Sequence, residues 1–182
     1  MPHSSHHALT TVMDAVVRLQ PASVLDVGVG YGKWGFLVRE ALDFMNGRHA
    51  RHEFLVRIDG IEAFPGYTSP LYEWVYDDVH YGDVASVSDD LLPYDLVVIG
   101  DVIEHMPKSS GLRLLRSLLK KSRNVIVATP SEFFEQEVLG NPWEQHQSRW
   151  VREDFAEWPY DFQMIGMSIV AVLGGCGCTW PT

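Results

Sequence analysis

The stretch Val24-Leu-Asp-Val-Gly-Val-Gly-Tyr-Gly-Lys-Trp-Gly35 constrains this chain most. An apolar, partly β-branched run passes Asp26, and glycines follow at positions 28, 30 and 32. The pattern predicts a strand (Val24–Val27), a tight turn and a helix. Glycine lacks a Cβ and tolerates positive φ, so such a turn lets a ligand touch bare backbone. The helix N-terminus behind it favours negative charge. Two nucleotide-binding patterns do not fit. Counted from Gly28, G-x-G-x-x-G ends on Lys33; G-x-x-x-x-G-K-[ST] fails because only three residues separate Gly28 from Gly32, and Trp34 follows Gly32-Lys33 where a hydroxyl is needed. The form D-x-G-x-G-x-G remains. Asp26 suits a ligand with a positive amino group better than a pyrophosphate.

Further along, apolar periodicity predicts alternating elements. Helices are expected over Leu9–Leu19, Gly35–Met45, Pro70–Tyr76, Leu112–Lys120 and Val151–Glu157. Strands are expected over Val24–Val27, Phe54–Ile61, Val79–Tyr81, Tyr94–Ile99 and Asn124–Ala128. Phe162–Ile165 and Ser168–Leu173 read as a terminal hairpin about Gly166-Met167. This alternation implies an α/β fold, a doubly wound and mostly parallel seven-stranded sheet with a C-terminal antiparallel hairpin. Residues 1–182 read as a single domain, with residues 1–8 as a mobile tail that holds His3, His6 and His7.

Composition narrows the function. The net charge of −10 argues against a general polyanion binder, so nucleic acid is an unexpected partner. The dense basic segments, Arg48-His-Ala-Arg51-His52 and Lys120-Lys-Ser-Arg123, are short. Cys176 and Cys178 fit neither a disulfide framework nor a zinc knuckle, which suits a reducing cytoplasm. The first residues lack a basic-then-apolar signal peptide. Phe162 to Thr182 carries no charge, but Gly174, Gly175, Gly177 and Pro181 interrupt it, so buried strands are favoured over a membrane span.

The D-x-G-x-G-x-G run, with acids after the next two strands, resembles motif I and its sequel in the class I S-adenosylmethionine-dependent methyltransferases, whose fold is Rossmann-like. The resemblance implies that S-adenosylmethionine is the cofactor. Its site would comprise Asp26, Gly28, Val29, Gly30, Tyr31 and Gly32 of the turn. Glu62, Ala63 and Phe64 would follow the second strand, Gly82, Asp83 and Val84 the third, and Asp101 the fourth. Glu62 would accept from the ribose hydroxyls, with Asp59 as its competitor, and Asp83 would contact the adenine amino group.

On the acceptor side, Asp101-Val-Ile-Glu104-His105 and His146-Gln-Ser-Arg-Trp150-Val-Arg152-Glu-Asp-Phe155 resemble the small-RNA 2′-O-methyltransferases. The first block is as close to quinone-pathway O-methyltransferases. In the RNA family, E-x-x-E-H pairs with H-x-x-x-W-[TV]-R-x-x-F around a divalent metal. The resemblance implies Asp101, Glu104, His105 and His146 as catalytic residues and as ligands of Mg²⁺ or Mn²⁺. Asp101 departs from the pattern, being shorter than Glu, and the family's RNA-binding extensions are lacking. The competing reading is a metal-free site, where Glu104 and His105 cap a helix or shape the acceptor pocket and His146 packs, with His105 as general base as one form of it. Trp143, Trp150 and Trp158 are candidates for the acceptor pocket or for the core. Arg149 and Arg152 are candidates for an anionic acceptor or for the surface. The expected activity is O-methylation of a small molecule. Its rivals are RNA ribose methylation and cofactor binding without turnover.

Overall fold

The computed structural model describes residues 5–87, 91–135 and 140–174. Helix α1 (Leu9–Leu19) leads into strand β1 (Ser23–Val27). Helix α2 (Lys33–Leu42), strand β2 (Arg57–Glu62), helix α3 (Leu71–Val75), strand β3 (Asp78–Tyr81) and helix α4 (Val84–Val87) follow. Strand β4 (Tyr94–Gly100), helix α5 (Lys108–Lys121) and strand β5 (Ser122–Pro130) come next, and the hairpin β6 (Tyr160–Ile165) and β7 (Ser168–Gly174) closes the described chain. The seven strands form one sheet in the order β3-β2-β1-β4-β5-β7-β6. Neighbours are parallel from β3 to β5, and β7 runs antiparallel to both β5 and β6. This is the expected mixed sheet.

Successive strand residues point to opposite faces, so each apolar strand feeds two cores. Val24, Ile58, Leu96 and Ile126 pack under α1 and α2. Leu25, Val97, Val125 and Leu173 pack under α5 with Trp150 and Phe155. The register aligns Val27 with Ile61 and Ile99, and Gly100 with Ala128. The loops after β1, β2, β4 and β5 therefore emerge at one rim.

Several boundaries differ from expectation. Helix α2 begins at Lys33, because Gly32 at φ 91° forms its N-cap, and it stops at Leu42. Strand β2 starts at Arg57 rather than Phe54. Asp43 takes the Leu55 N–H at 3.0 Å, and Arg51–Glu53 is a 3₁₀ turn. Helix α5 starts at Lys108, four residues before Leu112, directly after Pro107. The helix expected over Val151–Glu157 is a single 3₁₀ turn, Arg152–Phe155, with Asp154 accepting the Val151 N–H at 2.8 Å. From Ser5 onward the expected tail belongs to the fold: His6–Ala8 is a 3₁₀ turn and Ala8 is buried. His3, Cys176 and Cys178 lie outside the described residues. No helix among the described residues is long and apolar enough to cross a membrane.

Candidate functional site

A cavity of about 740 Å³ opens at the carboxyl rim of the sheet, where ligands bind in doubly wound folds. Its floor is Val27, Ile61, Gly100 and Pro130, the ends of four neighbouring strands. The turn after β1 forms one wall. Gly28, Gly30 and Gly32 all take positive φ (78°, 56° and 91°), which explains three glycines in that spacing. The Gly28 and Val29 N–H groups donate to Ile61 C=O at 2.9 and 3.3 Å, tying the turn to β2.

Most expected cofactor residues line this cavity: Gly28, Val29, Gly30, Glu62, Ala63, Gly82, Asp83, Val84 and Asp101. Glu62 lies at the mouth of β2, as its place after Gly60 predicts. It is 5 % exposed and accepts the N–H groups of Gly30 and Phe64, each at 2.8 Å. Burial pushes its carboxyl up. Asp59 serves elsewhere, taking the Tyr94 hydroxyl at 2.7 Å and Arg57 at 3.3 Å. Asp83 caps α4, accepting the Ala85 N–H at 3.0 Å.

Four expected cofactor residues stand off the cavity wall: Asp26, Tyr31, Gly32 and Phe64. Asp26 is buried behind the turn. Its Oδ2 accepts the Tyr76 hydroxyl at 2.6 Å and the Gly35 N–H at 3.1 Å. Burial raises its carboxyl to about 6. Tyr31 is half-exposed beside Tyr67, against which Phe64 also packs edge-on. Gly32 opens α2. The missing Cβ of Gly28 matters internally too, because a Cβ there would meet Val102 Cγ2 at 2.3 Å.

Glu104, His105 and His146 come together in the cavity wall. One ligand atom from each lies within 4.8 Å of the others, although His146 stands on the far loop after β5. The loop reaches back because Gln147 and Ser148 donate backbone N–H groups to Glu104 C=O at 2.7 and 3.1 Å. The imidazole rings of His105 and His146 meet at 4.9 Å. Burial holds both below the usual histidine range. Glu104 is 2 % exposed and accepts the Thr129 hydroxyl at 2.9 Å. Its burial, with Asp101 nearby, pushes it well above the carboxylate range. Glu104 Oε1 and His105 Nδ1 are buried without hydrogen-bond partners, as ligand-binding atoms often are. Asp101 does not join the cluster. It stands at φ 52° and accepts the Ser5 N–H at 3.2 Å.

Other residues of the cavity wall were not foreseen. Ser5, His6 and His7 line the cavity, although the start of the chain reads as a tail. Glu144 lines it as well and accepts the Tyr67 hydroxyl at 2.8 Å, bridging the loops after β2 and β5. Of the tryptophans, Trp143 lines the cavity, Trp150 is core, and Trp158 packs against the α5-side core. Arg149 holds Ser131 C=O and Glu132, and Arg152 lies over Phe162. Among the described lining residues six are carboxylates, and Lys33 is the one lysine or arginine.

Comparison with known proteins agrees with this fold. The methyltransferase-domain family profile matches residues 5–170. The chain belongs to that family, as an S-adenosylmethionine-dependent methyltransferase of class I fold. No curated protein sequence matches it. Among solved structures, the methyltransferase domain of bacterial CtHen1 is similar over 92 % of this chain and 97 % of its own, at 17 % identity and TM-score 0.62. The N-terminal domain of EvdMO1, solved in the presence of SAH and D-fucose, is similar over 95 % and 85 %, at 16 % identity and TM-score 0.61. Magnesium protoporphyrin IX methyltransferase of Synechocystis PCC 6803, with bound SAM, is similar over 92 % and 78 %, at 15 % identity and TM-score 0.61.

Proposed function

We propose that this protein transfers the methyl group of S-adenosylmethionine to a hydroxyl oxygen of a small molecule. The observation that carries the proposal is the convergence of Glu104, His105 and His146 at one end of the cavity whose other end is the glycine turn. The acceptor oxygen attacks the methyl carbon, the C–S bond breaks with its electron pair staying on sulfur, and the hydroxyl proton passes to a base. At a metal-free site neutral His105 can take that proton, because burial favours the uncharged imidazole. At the cofactor end, Glu62 would receive the ribose hydroxyls on the remaining lone pairs of its oxygens. Asp83 would face the adenine amino group.

The donor set also fits a divalent metal. A carboxylate and two neutral imidazoles are a borderline donor set that suits Mn²⁺ or Fe²⁺ better than Mg²⁺, and the partnerless Glu104 Oε1 and His105 Nδ1 are atoms such an ion would satisfy. Glu104, His105 and His146 would hold it, and it would supply a Lewis acid that lowers the pKa of a bound hydroxyl. Asp101 lies outside this set.

Ribose methylation of RNA is the second reading. The block His146 to Phe155, which resembles the small-RNA family, favours it. The lining carboxylates oppose it, since phosphates are held by Lys and Arg. Transfer of labelled methyl from S-adenosylmethionine separates the two. A panel of neutral hydroxylated aromatics and sugars, assayed with Mn²⁺ and with EDTA, should yield labelled small molecules. Label appearing only on the 3′ ends of short RNA would overturn the small-molecule reading.

A further inference from the structure

Gly30 is held from both sides. Its N–H donates to Glu62 Oε2 at 2.8 Å, and its C=O accepts the hydroxyl of Tyr72 on α3. One turn later on the same helix side, Tyr76 donates its hydroxyl to Asp26 Oδ2 at 2.6 Å, beneath the turn. Asp26 passes the restraint on by accepting the Gly35 N–H in the first turn of α2. The rings fill the space that glycines leave. A Cβ on Gly35 would meet the Tyr76 ring at 2.2 Å, and one on Gly32 would contact Tyr72 at 3.7 Å. Gly60 in β2 plays the same part, because a Cβ there would meet Val29 Cγ2 at 2.4 Å and the Tyr76 ring at 3.3 Å. Tyr76 is 1 % exposed, and neither tyrosine lines the cavity.

We infer that Tyr72 and Tyr76 are positioning residues that hold the glycine turn in its ligand-ready shape, with Tyr72 fixing the Gly30 peptide that Glu62 grips from the cavity side. The inference rests on the cofactor lying against this turn. Three glycines at positive φ leave the turn with little conformational preference of its own. The restraint must therefore come from contacts outside it. Pre-ordering a binding loop raises affinity by reducing the entropy lost on binding. Glu62 also touches ligand in this account, so its loss removes two effects together. Tyr72 lies off the cavity, and its hydroxyl restrains the Gly30 C=O and, more weakly at 3.4 Å, the Tyr67 C=O.

The test is the Tyr72→Phe variant, which keeps the ring and removes the hydroxyl. Calorimetry with S-adenosylmethionine and S-adenosylhomocysteine should show both weakened about three- to tenfold, the worth of one hydrogen bond. Amide exchange over residues 28–32 should quicken in the free protein. Tyr94→Phe is the control, because its hydroxyl meets Asp59, away from the turn. It should lower the thermal midpoint without changing cofactor affinity. Unchanged affinity and unchanged exchange in Tyr72→Phe would overturn the inference. Failure of the unaltered protein to bind either ligand would instead overturn the cofactor assignment beneath it.

Discussion

Asp26→Asn should make the protein more stable at neutral and alkaline pH, with a pH dependence that identifies the cause. Burial raises this carboxyl from 3.8 to about 6. Folded Asp26 keeps its proton to about pH 6, whereas the unfolded chain releases it near 3.8, so the folded state binds more protons between those values. Stability from this group is thus greatest below 3.8 and is lost as pH rises through 6. The rise of about two units corresponds to about 3 kcal/mol at pH 8. For a chain of this size that is roughly 6–12 °C in thermal midpoint. The amide oxygen can keep the bonds from Tyr76 and Gly35, while its nitrogen inherits the buried Oδ1 place that already has no partner. Thermal midpoints of both proteins, scanned from pH 4 to 8, report on this group, since titrations that are not coupled to it cancel in the difference and Glu62 is the coupled carboxylate. The difference should be near zero at pH 4 and grow through pH 6. A difference that stays flat across the range would refute the argument that ionised Asp26 is held in an unfavourable place.

Three further outcomes are expected. Glu62→Ala should weaken cofactor binding about tenfold or more, the cost of losing a charged hydrogen-bond partner, while calorimetry of Asp59→Ala shows no change, because Asp59 is occupied by Tyr94. Arg39→Ala should destabilise the fold by about 3–5 kcal/mol in chemical denaturation, because the fully buried guanidinium serves Asp43 and the carbonyls of Val56 and Val75 together. Gly111→Ala should cost about 1–3 kcal/mol, since its Cβ would meet the buried Trp150 ring at 2.5 Å. A thermal midpoint equal to that of the parent would show that the packing there yields.

The architecture was legible because its signals are local. Apolar runs, glycine spacing and acids at strand ends lie within a few residues of what they determine. The same holds for Glu62, whose position after Gly60 separates it from Asp59. The place of Asp26 was not legible for a physical reason: its chemistry suits an amino group, but its side chain points beneath the turn, where Tyr76, fifty positions later, meets it. The bridge from Tyr67 to Glu144 joins residues 77 positions apart, and nothing near either marks it. Ser5 to His7 read as a tail because the contacts that tie them to the fold are with Asp101 and the Gly166 turn, far along the chain. His146 was legible only through its family-like spacing to Trp150 and Phe155. Asp101 takes the place of the pattern's first Glu with a shorter side chain, and it falls outside the cluster.

A crystal structure of the protein with S-adenosylhomocysteine and Mn²⁺ tests the central account most directly. The account predicts the nucleoside between the glycine turn and Asp83, its ribose hydroxyls on Glu62, and its sulfur facing the acceptor end. An anomalous manganese peak should lie among Glu104, His105 and His146. A nucleoside bound away from the glycine turn, or a manganese peak held by other side chains, would contradict it.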